Sequence, residues 1–93
     1  MIGSIRHKAL SRYWTRGQAR GLNGEWMSKL RRILSALEAA ERPEHMNYPG
    51  SYFHALKGDR AGRYAVRLTA NWRVTFGWAE DSAVDVDIED YHQ

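Results

Sequence analysis

The chain is predicted to fold as an α+β protein, two N-terminal helices packed on an antiparallel β-sheet. Three observations predict this. In the N-terminal half the apolar residues recur three and four apart, the period of a helix face. From Ser51 onward the period drops to two, the alternation of strands with one buried and one solvated face. Between the halves, ERPEHMNYPG holds both prolines and reads as the loop that delivers the chain from helices to sheet.

The elements follow in order. Residues 2 to 6 suit a short opening strand. A first helix is expected over His7 to Thr15, with Ala9, Leu10, Tyr13 and Trp14 on one face, ended by Gly17. The segment GQARGLNG breaks regular structure until Asn23, whose side chain can cap a second helix. There Trp26, Leu30, Ile33, Leu34 and Leu37 draw one apolar stripe, and Lys29, Arg31, Arg32 and Glu38 take the opposite side. That basic cluster has a plain interpretation as a solvated surface.

Three strands can be written in the second half. Tyr64, Val66 and Leu68 alternate with Arg63, Ala65 and Arg67. Trp72, Val74, Phe76 and Trp78 alternate with Arg73, Thr75 and Gly77, and Val84, Val86 and Ile88 alternate with Asp85, Asp87 and Glu89. Because cross-strand partners share a face, the connection between the first two strands fixes their register. A connection of Thr69, Ala70 and Asn71 pairs Val66 with Val74 and Tyr64 with Phe76, with Asn71 as candidate for the left-handed position of the loop. It also sets Arg67 opposite Arg73, a like-charge pair that needs relief. A five-residue connection, Ala79 to Ala83, would bring Glu89 beside Arg73 and supply that relief; a bound phosphate would supply it equally.

Composition bounds the chemistry. A chain of 93 residues is expected to be one domain, residues 1–93, and a net charge of +3 with a pI near 9.5 favours polyanionic partners. With no cysteine, thiolate catalysis, disulfides and Cys-based zinc sites are excluded. No apolar run is long enough for a membrane span, and MIGSIRHKAL lacks the pattern of a secretory signal, so a cytoplasmic location is expected.

His54, Lys57, Arg73 and His92 together offer two groups that titrate near neutrality and two fixed cations. Cleavage of RNA without a metal needs such a set: a base for the ribose 2′-hydroxyl, donors for the charge gathering on phosphorus, and an acid for the departing 5′-oxygen. A metal nuclease would cluster carboxylates, and Asp85 with Asp87 on one strand face is a weak signal of that kind. No metal and no cofactor is implied.

The blocks HALKGDRAGRYAVRL, TANWRVTF and VDIEDYH resemble, in order, those of the HigB family of plasmid-maintenance killer toxins, and the likeness runs from Ser4 to His92. The resemblance implies the RelE-like fold and a ribosome-dependent mRNA endonuclease that acts in the decoding site, with contacts to 16S rRNA. It also implies silencing by a HigA-like antitoxin of helix-turn-helix type. By the same resemblance His54, Asp90, Tyr91 and His92 are the residues tied to cleavage, Lys57 and Arg73 face the substrate backbone, and Asn71 contacts an mRNA base. Arg67, on the same sheet face, joins them as an RNA-binding candidate. Thr69 stands where many relatives carry a basic residue.

Strict pleating would put His54 and Lys57 on opposite faces, so a bulge that turns Phe53 and Leu56 inward together is expected between them. His54 and His92 share the roles of base and acid in an order the sequence leaves open, with Asp90 orienting His92. Two rivals stand beside this: the gyrase-poisoning ParE branch of the same fold, and a non-catalytic nucleic-acid or partner-binding module using the arginine face.

Overall fold

The computed structural model describes residues 1–91. Its order is α1 (Lys8–Arg16), α2 (Met27–Ala39), β1 (His54–Ala55), β2 (Arg63–Arg67), β3 (Trp72–Ala79) and β4 (Ser82–Asp90), with short 3-10 turns at Gly24–Trp26, Pro43–Met46 and Gly58–Arg60. The four strands form one antiparallel sheet in sequence order. The expected α+β architecture is present. No described helix is long and apolar enough to cross a membrane.

Gly17 ends α1 as predicted, whereas Asn23 caps the 3-10 turn before α2 and not α2 itself, whose own N-cap position is Trp26. His7 Nδ1 accepts the Leu10 N–H at 3.1 Å at the start of α1, and Gly17, at φ 72°, closes it by donating to the Tyr13 carbonyl. Asn23 Oδ1 accepts the Glu25 N–H at 2.9 Å, so it caps the 3-10 turn that leads into α2. Leu30, Ile33, Leu34 and Leu37 are buried against Val66, Val74, Phe76, Val86 and Ile88 of the sheet. Trp26 closes one end of this core on Trp72, ring centres 5.3 Å apart. Trp14 departs from its predicted face and is 38% exposed.

The opening segment lies along the free edge of β4. Parallel bridges join Ile2 to Ala83 and Ile5 to Val86, so the predicted strand over residues 2 to 6 is two isolated contacts. Backbone bonds from Gly3 to Ala83 and from Arg6 to Val86 occupy edge groups that would otherwise be open to another chain.

The predicted β2–β3 register is found: Tyr64 faces Phe76, Val66 faces Val74 and Arg67 faces Arg73. The loop closes by other means than a left-handed Asn71, which is absent from the residues of positive φ. Thr69 Oγ1 instead accepts the N–H groups of Asn71 and Trp72 at 3.3 and 3.2 Å, a hydroxyl turn that a basic residue at this position would not make.

Between β3 and β4 the connection is shorter than predicted. Ala79 pairs with Ser82, leaving Glu80 and Asp81 as the turn, with Glu80 at φ 56°. The extra residue is taken up by a bulge: Gly77 faces Val84 and Thr75 faces Asp87, so Asp85 and Val86 together oppose Phe76. Asp85 adopts φ 51° there, and past it the register returns to the predicted one, with Glu89 opposite Arg73.

Candidate active site

The register assembles the polar face. Arg67, Arg73 and Glu89 form one row across β2, β3 and β4; Ala65, Thr75 and Asp87 form the next. His54 of β1 pairs with Ala65 and therefore shares this face. Tyr91 follows β4 and donates its N–H to the Asn71 carbonyl at 2.6 Å. Its ring lies 4.3 Å from the Arg73 guanidinium and 6.1 Å from the His54 ring, edge-on to the imidazole. Tyr91 thus joins His54 to Arg73, two residues that are far apart in sequence.

The bonds of these groups define their chemistry. His54 Nδ1 lies 3.1 Å from the Tyr52 carbonyl. A carbonyl can only accept, so Nδ1 carries the proton and Nε2 holds the lone pair in the neutral ring. Arg73 Nη1 donates to the carbonyls of Thr69 at 2.8 Å and Trp72 at 3.2 Å, which fixes the guanidinium over Tyr91. Its buried Nε makes no hydrogen bond among the described residues.

The Glu89 carboxylate does not turn to Arg73, despite being its cross-strand neighbour. Its oxygens accept from Arg60 Nη2 at 2.7 and 2.6 Å and from the Thr75 hydroxyl, with Arg63 Nη2 4.0 Å away. Burial works against this carboxylate's charge, but the Thr75 and Arg60 hydrogen bonds and the charges of Arg60 and Arg63 outweigh it and hold the group below the ordinary glutamate range. Its contribution to stability is therefore complete above that range and lost as the pH falls through the lowered value. Glu89→Gln should narrow the stability gap between wild type and variant on acidification, a trend readable from urea melts at neutral and acid pH.

Lys57 stands apart. β1 ends after Ala55, and the chain turns away through Gly58 at φ 70°, so the expected bulge between His54 and Lys57 is replaced by the end of the strand. Both Phe53 and Leu56 are half-buried, but it is Phe53 that packs against the core and stacks on Tyr64 at 5.7 Å. Lys57 is exposed and makes no side-chain hydrogen bond or ion pair among the described residues. Asn71 is exposed at the hairpin tip, and Asp90 is exposed opposite Trp72. His92 lies outside the described residues. Asp85 and Asp87 have separate partners, Arg6 at 3.8 Å and the Ile88 N–H at 2.9 Å.

Sequence reasoning gave no role to Arg60 or Tyr52. Arg60 belongs to the LKGDR block, but its reach to Glu89 depends on the 3-10 turn that carries it back over the sheet.

A model of the family described as RelE-like toxin of type II toxin-antitoxin system HigB matches residues 3–92. The chain belongs to the HigB family. The toxin is 33% identical to Endoribonuclease HigB of Proteus vulgaris over 92 residues, 99% of this chain and 100% of that one. Its fold is similar to solved RelE-like toxins. In a YoeB-YefM complex from Staphylococcus aureus the matched chain has a TM-score of 0.62 at 14% identity, covering 100% of the toxin and 99% of that chain. YafQ from E. coli strain BL21(DE3) has a TM-score of 0.63 at 12% identity, covering 97% and 93%. As a toxin of a type II toxin-antitoxin system, the protein has an antitoxin as its partner.

Proposed function

We propose that the toxin is an endoribonuclease that cuts mRNA in the decoding site of the ribosome, by attack of a ribose 2′-hydroxyl and without a metal ion or cofactor. The observation that carries this is the placement of a histidine with its Nε2 lone pair on the sheet face that holds Arg73 and Tyr91. The relative's name, Endoribonuclease HigB, supports the same activity.

In this mechanism His54 Nε2 takes the proton of the 2′-hydroxyl. The 2′-oxygen bonds to phosphorus, the P–O5′ bond breaks, and a cyclic phosphate and a 5′-hydroxyl result. Arg73, held by the hairpin carbonyls, offers its remaining N–H groups to the charge that builds on phosphorus. His92, oriented by Asp90, donates the proton to the leaving 5′-oxygen. Lys57 and Arg67 hold the flanking backbone, Asn71 contacts a base at the hairpin tip, and Tyr91 stacks on a nucleobase or donates a hydrogen bond. Residues 1–93 act as one domain, in the cytoplasm where ribosomes translate, with 16S rRNA contacts and a HigA-like helix-turn-helix antitoxin as inhibitor.

The test is to add the protein to a translating extract and map mRNA 5′ ends. New 5′-hydroxyl ends in register with codons are expected. Intact message with inhibited gyrase would mean a ParE-like activity, and intact message with neither effect would leave a binding module.

A further inference from the structure

The Tyr48–Tyr52 loop carries two arginine–tyrosine stacks, of which the cleavage mechanism uses only Arg67, as a contact to the flanking backbone. The Arg67 guanidinium lies 4.9 Å from the centre of the Tyr52 ring, and that of Arg32, from α2, 5.7 Å from the Tyr48 ring. Two hydrogen bonds brace the loop: Ser51 Oγ accepts the Tyr48 N–H at 3.2 Å, and the Ser51 carbonyl accepts the Arg67 N–H at 2.8 Å. Lys29, one turn before Arg32, feels the same field: burial, then the charges of Arg67, Arg32 and Arg73, push its ammonium pKa down. The two stacks on this short loop set Arg32 of α2 beside Arg67 of the sheet, and Lys29 lies one helical turn before Arg32.

Tyr52 is the unusual residue. It is 64% exposed, and it sits at φ 51°, a conformation that bulky side chains seldom adopt. The ring packs on the Arg67 guanidinium and is otherwise turned to solvent, and strained backbone of this kind collects at ligand sites. The same residue's carbonyl holds His54 Nδ1, which ties the ring's position to the cleavage base.

We propose that Tyr52, with Arg67, Arg32 and Lys29, forms a second RNA subsite: the Tyr52 ring stacks a nucleobase next to the scissile phosphate, and the three cations hold the phosphates of the strand leading away. This rests on the assignment of the toxin as an RNA-cutting enzyme. The chemistry of exposed aromatic rings set among cations matches single-stranded nucleic acid, in which each unpaired base offers a stacking face and each linkage a negative charge. An acidic polypeptide would engage the cations and leave the ring unused.

The probe is a short 2′-O-methyl oligoribonucleotide, which offers no attacking hydroxyl, bound to the full chain over a range of salt concentrations. Tyr52→Gly keeps the left-handed backbone and the carbonyl bonded to His54 while removing the ring. It should weaken binding about 5- to 150-fold with an unchanged salt slope, and Tyr52→Phe should bind as wild type. The double variant Lys29→Ala/Arg32→Ala should make the slope of log affinity against log salt shallower by about 1.4. Wild-type affinity in Tyr52→Gly, an unchanged slope in the double variant, no binding by the wild type, or equal competition by polyglutamate would each overturn the subsite. Message cleavage by the wild type is measured separately. Cleavage alongside variants that bind normally removes the subsite alone, and no cleavage removes the assignment beneath it.

Discussion

His54→Gln is expected to lower the rate of mRNA cleavage about 100- to 10,000-fold, the range that loss of a general base produces. Glutamine is close in size and can still donate a hydrogen bond to the Tyr52 carbonyl, which His54 meets at 3.1 Å, but it has no basic nitrogen to take the 2′-hydroxyl proton. The loss should fall equally on kcat and kcat/KM, because proton transfer is an interaction of the transition state. His54 lies on a two-residue edge strand and is only half-buried, so the melting temperature should barely move. His54→Ala with added imidazole gives the matching gain: partial recovery of rate marks the missing group as a base. A variant that cuts at the wild-type rate would place the base elsewhere.

Much of the arrangement behind that prediction was legible in the sequence. The connection Thr69–Ala70–Asn71 set the β2–β3 register and so put Arg67 opposite Arg73, and the alternation that followed placed Glu89 in the same row. Three kinds of feature escaped. A period of two carries no signal for a single bulge when apolar residues stand on both sides of it, as Ala83, Val84 and Val86 do around Asp85, so the turn at Glu80 and Asp81 was missed. Side chains that leave their own row were the second kind. Glu89 reaches to Arg60 on a separate turn, and Tyr91 extends back over Arg73 toward His54, neither of which pleating alone can express. Tyr52 was invisible for a third reason: few tyrosines adopt positive φ, so no pattern rule predicts one.

Arg73→Ala should cost about 100- to 1,000-fold in kcat, the effect of removing one fixed donor from a site where negative charge develops. The geometry argues that this guanidinium is preorganised for such a task. Nη1 is tied to the Thr69 and Trp72 carbonyls, one face rests on Tyr91, and the carboxylate directly across the strand pair is bound to Arg60 and Thr75 instead. Its charge is therefore held in place by dipoles and a ring, an arrangement that fixes position without giving up the charge. Two opposing contributions should leave stability little changed: the lost hydrogen bonds loosen the hairpin, while the repulsion between Arg73 and the facing Arg67 disappears. Arg73→Lys separates charge from shape, because an ammonium keeps the charge but lacks the fork that bonds the carbonyls and the plane that stacks on Tyr91. It should recover only part of the rate. Pairing each variant with Tyr91→Leu completes the test: if the ring positions the guanidinium, Tyr91→Leu slows the wild type but has a much smaller effect once Arg73 is alanine. Full additivity of the two losses would show that the stack, at 4.3 Å, does not position Arg73 for catalysis.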